Sequence, residues 1–352
     1  MRDYKGKTVY VGIDVHKKTY AVTCICEGEV VKRSTMEACA EKFVLFLHRY
    51  FSGAHFKTAY EAGFSGFGLH RHLLSQGVEN IVVHAASVEI SSRDRVKTDK
   101  RDSLKIATQL SVGRLRGIKV PSVEREAYRE VSRLREKLAN DKRRVGNRLK
   151  SLLYRQGLLG AEEVPKVSKR WIENVVNNYK AIASIKIALE VCKNEWLYLN
   201  EELKKIDMEL AAQAKADAAM EIIYQSAPGI GNHHARILAN ELEDMKQFRN
   251  EKQLFSFTGL TPSEYSSGEH KRQGHITRQG RSVLRKILVQ AARVAIKQDA
   301  ALGQIFERIA KTAGKKRAII GIARRLIGRV RSCFSHGTLY EYRKDMLATA
   351  MP

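Results

Sequence analysis

The chain opens on a short apolar run, Val9-Tyr10-Val11-Gly12-Ile13, that closes on Asp14, and such runs recur between stretches of helical periodicity over the next hundred residues. Runs rich in β-branched and aromatic residues predict strands over 8–14, 19–26, 29–34, 56–61 and 80–83, with helices near 37–50 and 66–76. Gly28 marks one tight turn, so the first three strands should form an antiparallel meander before a crossover to the fourth. From Ser122 to about Gln156 the pattern is helical, with Val131, Leu134, Leu138, Val145, Leu149 and Leu152 at 3,4 spacing. After a loop carrying Gly157, Gly160 and Pro165, a second stripe from Ile182 through Leu189, Trp196 and Leu203 to Leu210 keeps that alternation over four heptads. This is coiled-coil periodicity, and it predicts two long helices that make either a hairpin or a dimer seam.

Acids change the meaning of the strand pattern. A core strand has little reason to end on Asp14 unless the carboxylate is paired, hydrogen-bonded or holding a metal, because an uncompensated buried charge costs several kcal/mol or more. Glu61 ends the fourth predicted strand, and Asp99 and Asp102 stand at i, i+3 on one face of a starting helix. Each alone reads equally well as a cap or a turn residue. Together they supply hard oxygen ligands from separate elements, which is what Mg2+ requires. The strand order is that of an α/β RNase H-like domain, in which the acid of a central first strand meets those of the fourth strand and a late helix.

Charge adds a partner. The 352 residues carry 63 Lys and Arg against 38 Asp and Glu, a net +25 that points to a polyanion, with nucleic acid first. An apolar run of membrane-spanning length and a signal peptide are both missing from the sequence, so a cytoplasmic location and no membrane partner are expected. Five scattered cysteines without a C-x-x-C pair read as reduced core residues, His70-x-His72 and His233-His234 lack zinc-site spacing, and no ATP-binding loop is present.

The positive charge is concentrated. Pro228-Gly229-Ile230-Gly231 opens a helix as a turn with free backbone N–H groups for a phosphate, in the manner of helix-hairpin-helix modules, although a plain helix start reads the same way. Between Glu269 and Lys286 six Lys or Arg accompany one acid; Lys271, Arg272, Arg278, Arg281 and Arg285 would grip phosphates from a loop that enters a helix at Ser282. Lys311 to Arg331 is helical with eight Lys or Arg and no acid, and Arg324 and Arg325 would lie on nucleic acid.

These residues resemble, over nearly the full length, the DEDD transposases of bacterial insertion sequences of the IS-one-ten and IS-eleven-eleven group, the bridge-RNA-guided recombinases. The resemblance rests on Gly12-Ile13-Asp14, Tyr60-Glu61-Ala62-Gly63 and Lys97-Thr98-Asp99-Lys100-Arg101-Asp102, then on Pro228 to Gly231, Gly259-Leu260-Thr261-Pro262, Ser267-Gly268 and Gly280-Arg281-Ser282-Val283-Leu284-Arg285. It implies that the serine directly before the glycine, Ser267 and not Ser266, is a nucleophile toward DNA, and that Asp14, Glu61, Asp99 and Asp102 hold Mg2+. It further implies donor and target DNA and a structured noncoding guide RNA as partners, and a homo-oligomer, dimeric and tetrameric in the synaptic complex.

The expected organisation is a RuvC-like DEDD domain over 1–120, a coiled-coil dimerisation region over 121–218, and a mainly helical second catalytic domain over 219–352. The expected activity is Mg-dependent, RNA-guided DNA strand cleavage and exchange through a serine–DNA intermediate. A metal-dependent Holliday-junction or flap nuclease that activates water is the alternative, and a noncatalytic nucleic-acid scaffold is a third reading.

Overall fold

The computed structural model describes residues 3–84, 99–159, 166–178, 182–264 and 273–342. The chain divides into two compact units, residues 1–121 and 122–352.

The first unit is built on a five-stranded sheet of order β3-β2-β1-β4-β5, from β1 (Thr8–Val15), β2 (Thr19–Cys26), β3 (Glu29–Glu37), β4 (His55–Glu61) and β5 (Glu79–Val83). The first three strands form the antiparallel meander. Glu27 and Gly28 turn the β2–β3 hairpin with φ of 54° and 82°, the left-handed pair that matches strand twist and that glycine adopts without a Cβ clash. A crossover through α1 (Ala40–Tyr50) then brings β4 parallel to β1, and α2 (Gly68–Ser75) brings β5 parallel to β4. Strand β1 is thus central. Val9, Val11 and Ile13 bury one of its faces against Phe43, Leu47, Phe56 and Leu73.

The opposite face receives α3 (Asp99–Ser111), whose Ile106 packs with Ala59 and Val83. Gly12 sits on this face, and a Cβ there would lie 2.1 Å from the Ser103 carbonyl oxygen and 2.4 Å from the Ala107 nitrogen. Only a residue without a side chain lets the helix backbone come so near the strand. Beside it, the hydroxyls of Thr23 and Ser103 hydrogen-bond at 2.9 Å in the buried contact, and Thr23 is the β2 residue paired with Gly12.

In the second unit α4 (Val123–Arg155) and α6 (Ala183–Ala216) run antiparallel, shown by Arg135 with Asp207, Lys142 with Asn200 and Arg148 with Glu195. Ser122 caps α4 through its side-chain oxygen and the Arg125 N–H at 3.1 Å. The 3,4 stripe of α6 is spent inside the chain: Leu189, Cys192, Trp196 and Leu199 bury against Val145, Leu149 and Leu153 of α4 and Ile172 and Val176 of α5 (Lys169–Asn178). Of the two outcomes that periodicity allowed, the hairpin is the one these side chains make.

A second core gathers α7 (Ala218–Ser226), α8 (Asn232–Leu242), α9 (Glu251–Thr258), α10 (Ser282–Gln298), α11 (Ala300–Ala313) and α12 (Lys315–His336). The single helical stretch read over 311–331 is broken at Gly314, whose φ of 82° a helix cannot hold. The root of the hairpin joins this core through charge. Arg125 donates to Asp217 at 2.8 Å, Arg129 to Glu243 at 3.1 Å and Arg133 to Glu241 at 2.9 Å, while Arg236, with its side chain 2% exposed, donates to Asp217 at 2.7 Å. Burial pushes the Asp217 carboxyl upward, but hydrogen bonds from Arg125 and Arg236 outweigh it and hold the group below the usual aspartate value. Hairpin and carboxyl-terminal helices accordingly share one compact unit.

All five cysteines are free thiols, four of them buried. Among the described residues, no helix is long and apolar enough to cross a membrane.

Candidate active site

The candidate site residues fall into two groups, one in each unit. In the first, Asp14 and Glu61 follow directly on the parallel pair Ile13–Tyr60, so the two carboxylates stand at matching positions at the carboxyl ends of neighbouring strands. Strand alternation puts Asp14 on the same face as Gly12, the face that α3 covers. Asp102 immediately precedes Ser103, the residue in contact with Gly12, and Asp99 opens the same helix one turn earlier. The close approach at Gly12 therefore brings the helix carrying two of the acids onto the strand carrying the first.

The described side chains are not bare. The Asp14 carboxylate lies 3.2 Å from His16 Nε2, and that of Asp102 lies 3.4 Å from Lys105 Nζ. Among the described residues, no three carboxylate, histidine or cysteine side chains converge as a ligand cluster; the side chain of Asp99 lies outside them. The donor set nevertheless fits a hard divalent cation, because it offers carboxylate oxygens from two adjacent strand ends and one helix and no thiolate.

In the second unit a short antiparallel ladder, β6 (Pro262–Glu264) with β7 (Gln273–Ile276), pairs Pro262 with Ile276 and Glu264 with Gln273. It brackets residues 265–272. Ser266, Ser267, Lys271 and Arg272 fall in that interval and lie outside the described residues. What holds the ladder's base is plain. Gly259, at φ 66°, ends α9, and a Cβ there would meet the Gln279 carbonyl oxygen at 2.0 Å; a Cβ on Gly280, at φ 71°, would meet the Phe257 carbonyl oxygen at 2.2 Å. The two glycines let the chain entering the ladder and the chain leaving it cross in backbone contact. Arg285 pins the crossing, its Nη1 donating to the carbonyls of Gln279 at 2.8 Å, Gly280 at 3.2 Å and Thr258 at 3.4 Å.

The basic residues read as phosphate contacts take different places. Arg278 is exposed, with φ 57° in the turn after β7. Arg281 is half-buried, its Nε 3.4 Å from Glu241, and burial lowers its pKa. Arg285 is engaged with the three carbonyls. Arg324 lies 4.6 Å over the Phe255 ring, whereas Arg325 is exposed. Gly229, at φ 76°, lets the turn before α8 pack on α10, since a Cβ would come within 2.8 Å of Ala291 Cα; Gly231 has open space and precedes the uncapped N-terminus of α8.

With the geometry in hand, comparison with known proteins is specific. A model of DEDD-type IS110 transposases, described as "Transposase", matches residues 11–156, and one described as "Transposase IS116/IS110/IS902 family" matches residues 223–306. The chain belongs to the IS110 family of insertion-sequence transposases. It is 27% identical to the putative transposase y4rJ of Sinorhizobium fredii over 91% of this chain and 90% of that one. It is 28% identical to the transposase for insertion sequence element IS1533 of Leptospira borgpetersenii over 72% and 75% of the two chains. Identity to the transposase for IS1111A of Coxiella burnetii is 27%, over 57% and 55%.

For an IS110-family transposase, DNA is the substrate and divalent metal use is implied by the DEDD class. The two matches begin on β1 and reach through the ladder, so they enclose both groups of residues. The brace of Gly259, Gly280 and Arg285 escaped the reading of the sequence as a brace, although its residues were in view. In sequence the two glycines and the arginine stand in two separate motifs, and nothing local shows that Gly259 and Gly280 meet or that Arg285 bonds carbonyls instead of phosphate.

Proposed function

We propose that this transposase is an RNA-guided DNA recombinase whose RNase H-like first unit supplies a metal-binding carboxylate site and whose second unit supplies a serine nucleophile. The observation that carries the reading is the adjacency of Asp14 and Glu61 at the ends of paired parallel strands, with the Asp99–Asp102 helix docked at Gly12. Asp14, Glu61, Asp99 and Asp102 would hold Mg2+, which when bound neutralises charge on the scissile phosphate. The Ser267 hydroxyl oxygen would form a bond to phosphorus as its proton passes to solvent, and the bond from phosphorus to the departing deoxyribose oxygen would break as that oxygen takes up a proton, so the DNA stays attached to the protein until a strand hydroxyl reverses the step.

The brace beneath β6 and β7 supports this reading because a nucleophile between two strands gains from a rigid base under them. Exposed Arg278 and Arg325, with Lys271 and Arg272, would hold DNA or RNA backbones, and a structured noncoding RNA would select donor and target by pairing. The protein would act as a homo-oligomer, in three functional regions, 1–120, 121–218 and 219–352. Asp14→Ala should abolish divalent-metal-dependent cleavage of a cognate element end while nucleic-acid binding persists, because the acid repels rather than attracts a polyanion. Cleavage at the wild-type rate by purified Asp14→Ala would remove the carboxylate site from the proposal.

A further inference from the structure

The helical hairpin holds a groove that the strand-transfer chemistry does not use. Ala139 and Gly146 form its floor on α4, at positions where this antiparallel pair elsewhere buries large apolar side chains, and Trp196 and Leu203 of α6 wall it. The resulting cavity has a volume of about 400 Å3. Arg135, Lys142, Arg143 and Lys150 line it along one stripe of α4, and no lining residue is acidic.

The charge balance of that stripe is uneven. Arg135 has anionic neighbours, Asp207 at 3.0 Å and Glu136 at 3.8 Å. Lys142 lies 4.2 Å over the Trp196 ring and donates to the neutral Asn200 Oδ1 at 2.5 Å. Burial, with Arg135 and Lys204 beside it, lowers its pKa against the opposing pull of Asp207 and Glu201. Arg143 donates to the neutral Asn140 at 3.1 Å.

We infer that this groove seats the sugar-phosphate backbone of a nucleic acid on the hairpin. Three features select that ligand. From 135 to 150 the stripe extends about 22 Å at 1.5 Å per residue, which suits a run of phosphates better than a single small anion. At Ala139 the floor is small and half-buried, so a backbone can approach α4 there, while at Gly146 the Val167 side chain closes the floor, its methyls 3.5 Å from where a Cβ would sit. Trp196 is 5% exposed and carries Lys142 on its ring, so it gives a base no face to stack on, and contact is with phosphate and without sequence readout.

The inference rests on the proposed function only in that the protein handles nucleic acid, and its test is separate. Fluorescence anisotropy of the full-length protein with mixed-sequence single-stranded RNA and with duplex DNA, across a salt series, reads the contact directly. Arg143→Gln with Lys150→Gln should flatten the dependence of log K on log salt by about 1.4 for single strands or about 1.8 for duplex, the loss of two phosphate contacts. Ala139→Glu, which puts a carboxylate in the groove, should weaken the same arm more than tenfold. A change confined to RNA assigns the groove to an RNA strand, one confined to DNA assigns it to duplex DNA, and a change in both makes it a shared backbone seat. Circular dichroism confirms that helix content is kept, and the double glutamine variant, altered only at solvent-facing ends of the groove, stands if Ala139→Glu fails to fold. Unchanged slopes in both arms overturn the inference, whatever the outcome at Ser267. At saturating protein, the double variant should still form the serine adduct.

Discussion

Arg285 Nη1 donates to the Gln279 carbonyl oxygen at 2.8 Å, and through this bond a residue of α10 fixes the chain as it leaves the β6–β7 ladder. Arg285→Ala leaves the carbonyls of Gln279, Gly280 and Thr258 without that donor, a loss of about 1–3 kcal/mol. The midpoint of urea unfolding should fall accordingly, and strand cleavage should fall further than stability, because the ladder that brackets Ser267 in sequence loses its brace. Arg285→Lys should rescue only in part, since an ammonium lacks the planar fork.

Gly12 makes the second prediction. Gly12→Ala drives a methyl group into the backbone of α3, where neither Ser103 nor Ala107 can yield by rotating a side chain. The cost is about 1–3 kcal/mol or more, read from denaturant unfolding. Because α3 carries Asp99 and Asp102, metal-dependent cleavage should be lost even where the variant remains folded. Wild-type cleavage by folded Gly12→Ala would mean that the seating of α3 on β1 does not set the acids.

Asp299 anchors the carboxyl-terminal core. Its side chain is 0% exposed, caps α11 through the Leu302 N–H at 2.9 Å, and accepts from Arg329 at 2.7 Å and from the Tyr340 hydroxyl at 2.7 Å. Burial, followed by the hydrogen bond to Asp299, pushes the Tyr340 pKa up. Asp299→Ala removes the α11 cap and the acceptor for both Arg329, whose side chain is 21% exposed, and the Tyr340 hydroxyl, and should cost about 2–3 kcal/mol. Tyr340→Phe leaves the ion pair intact and should cost about 1 kcal/mol. Calorimetry of the two variants checks the order.

Asp217 gives the pH dependence. Its folded pKa is lowered, so it contributes stability above the ordinary unfolded aspartate value, about 3.9, and loses that contribution as pH falls through the lower folded value. Asp217→Asn should therefore be less stable than wild type at pH 7 and should lose stability less steeply on acidification below about pH 4. Parallel acid-unfolding curves for the two proteins would remove Asp217 from the network's pH response.

Much of the first unit was legible because its strands are long and apolar and its turn at Gly28 is a local signal. The hairpin helices were legible for the same reason, but periodicity gives only the face of α6 that is buried and says nothing of whether the partner is α4 or another chain. Strands β6 and β7, three and four residues long, are too short to show alternation. Arg236 and its acids were hidden as well: in a chain with this excess of cations, no composition argument distinguishes an arginine buried on Asp217 from one facing a phosphate. The candidate acids could be picked out along the chain, whereas the contact that gathers their elements depends on a missing side chain at Gly12.

The most direct test of the central claim is chemical. Wild-type protein trapped with the proposed guide RNA on a nicked cognate DNA should give a denaturation-resistant protein–DNA adduct, and mass spectrometry should place the DNA on the peptide containing Ser267. Ser267→Ala should lose adduct and recombination while keeping nucleic-acid binding, and Ser266→Ala should be milder. Cleavage by Ser267→Ala at the wild-type rate, with no adduct on the wild-type protein, would contradict the account and make water the nucleophile.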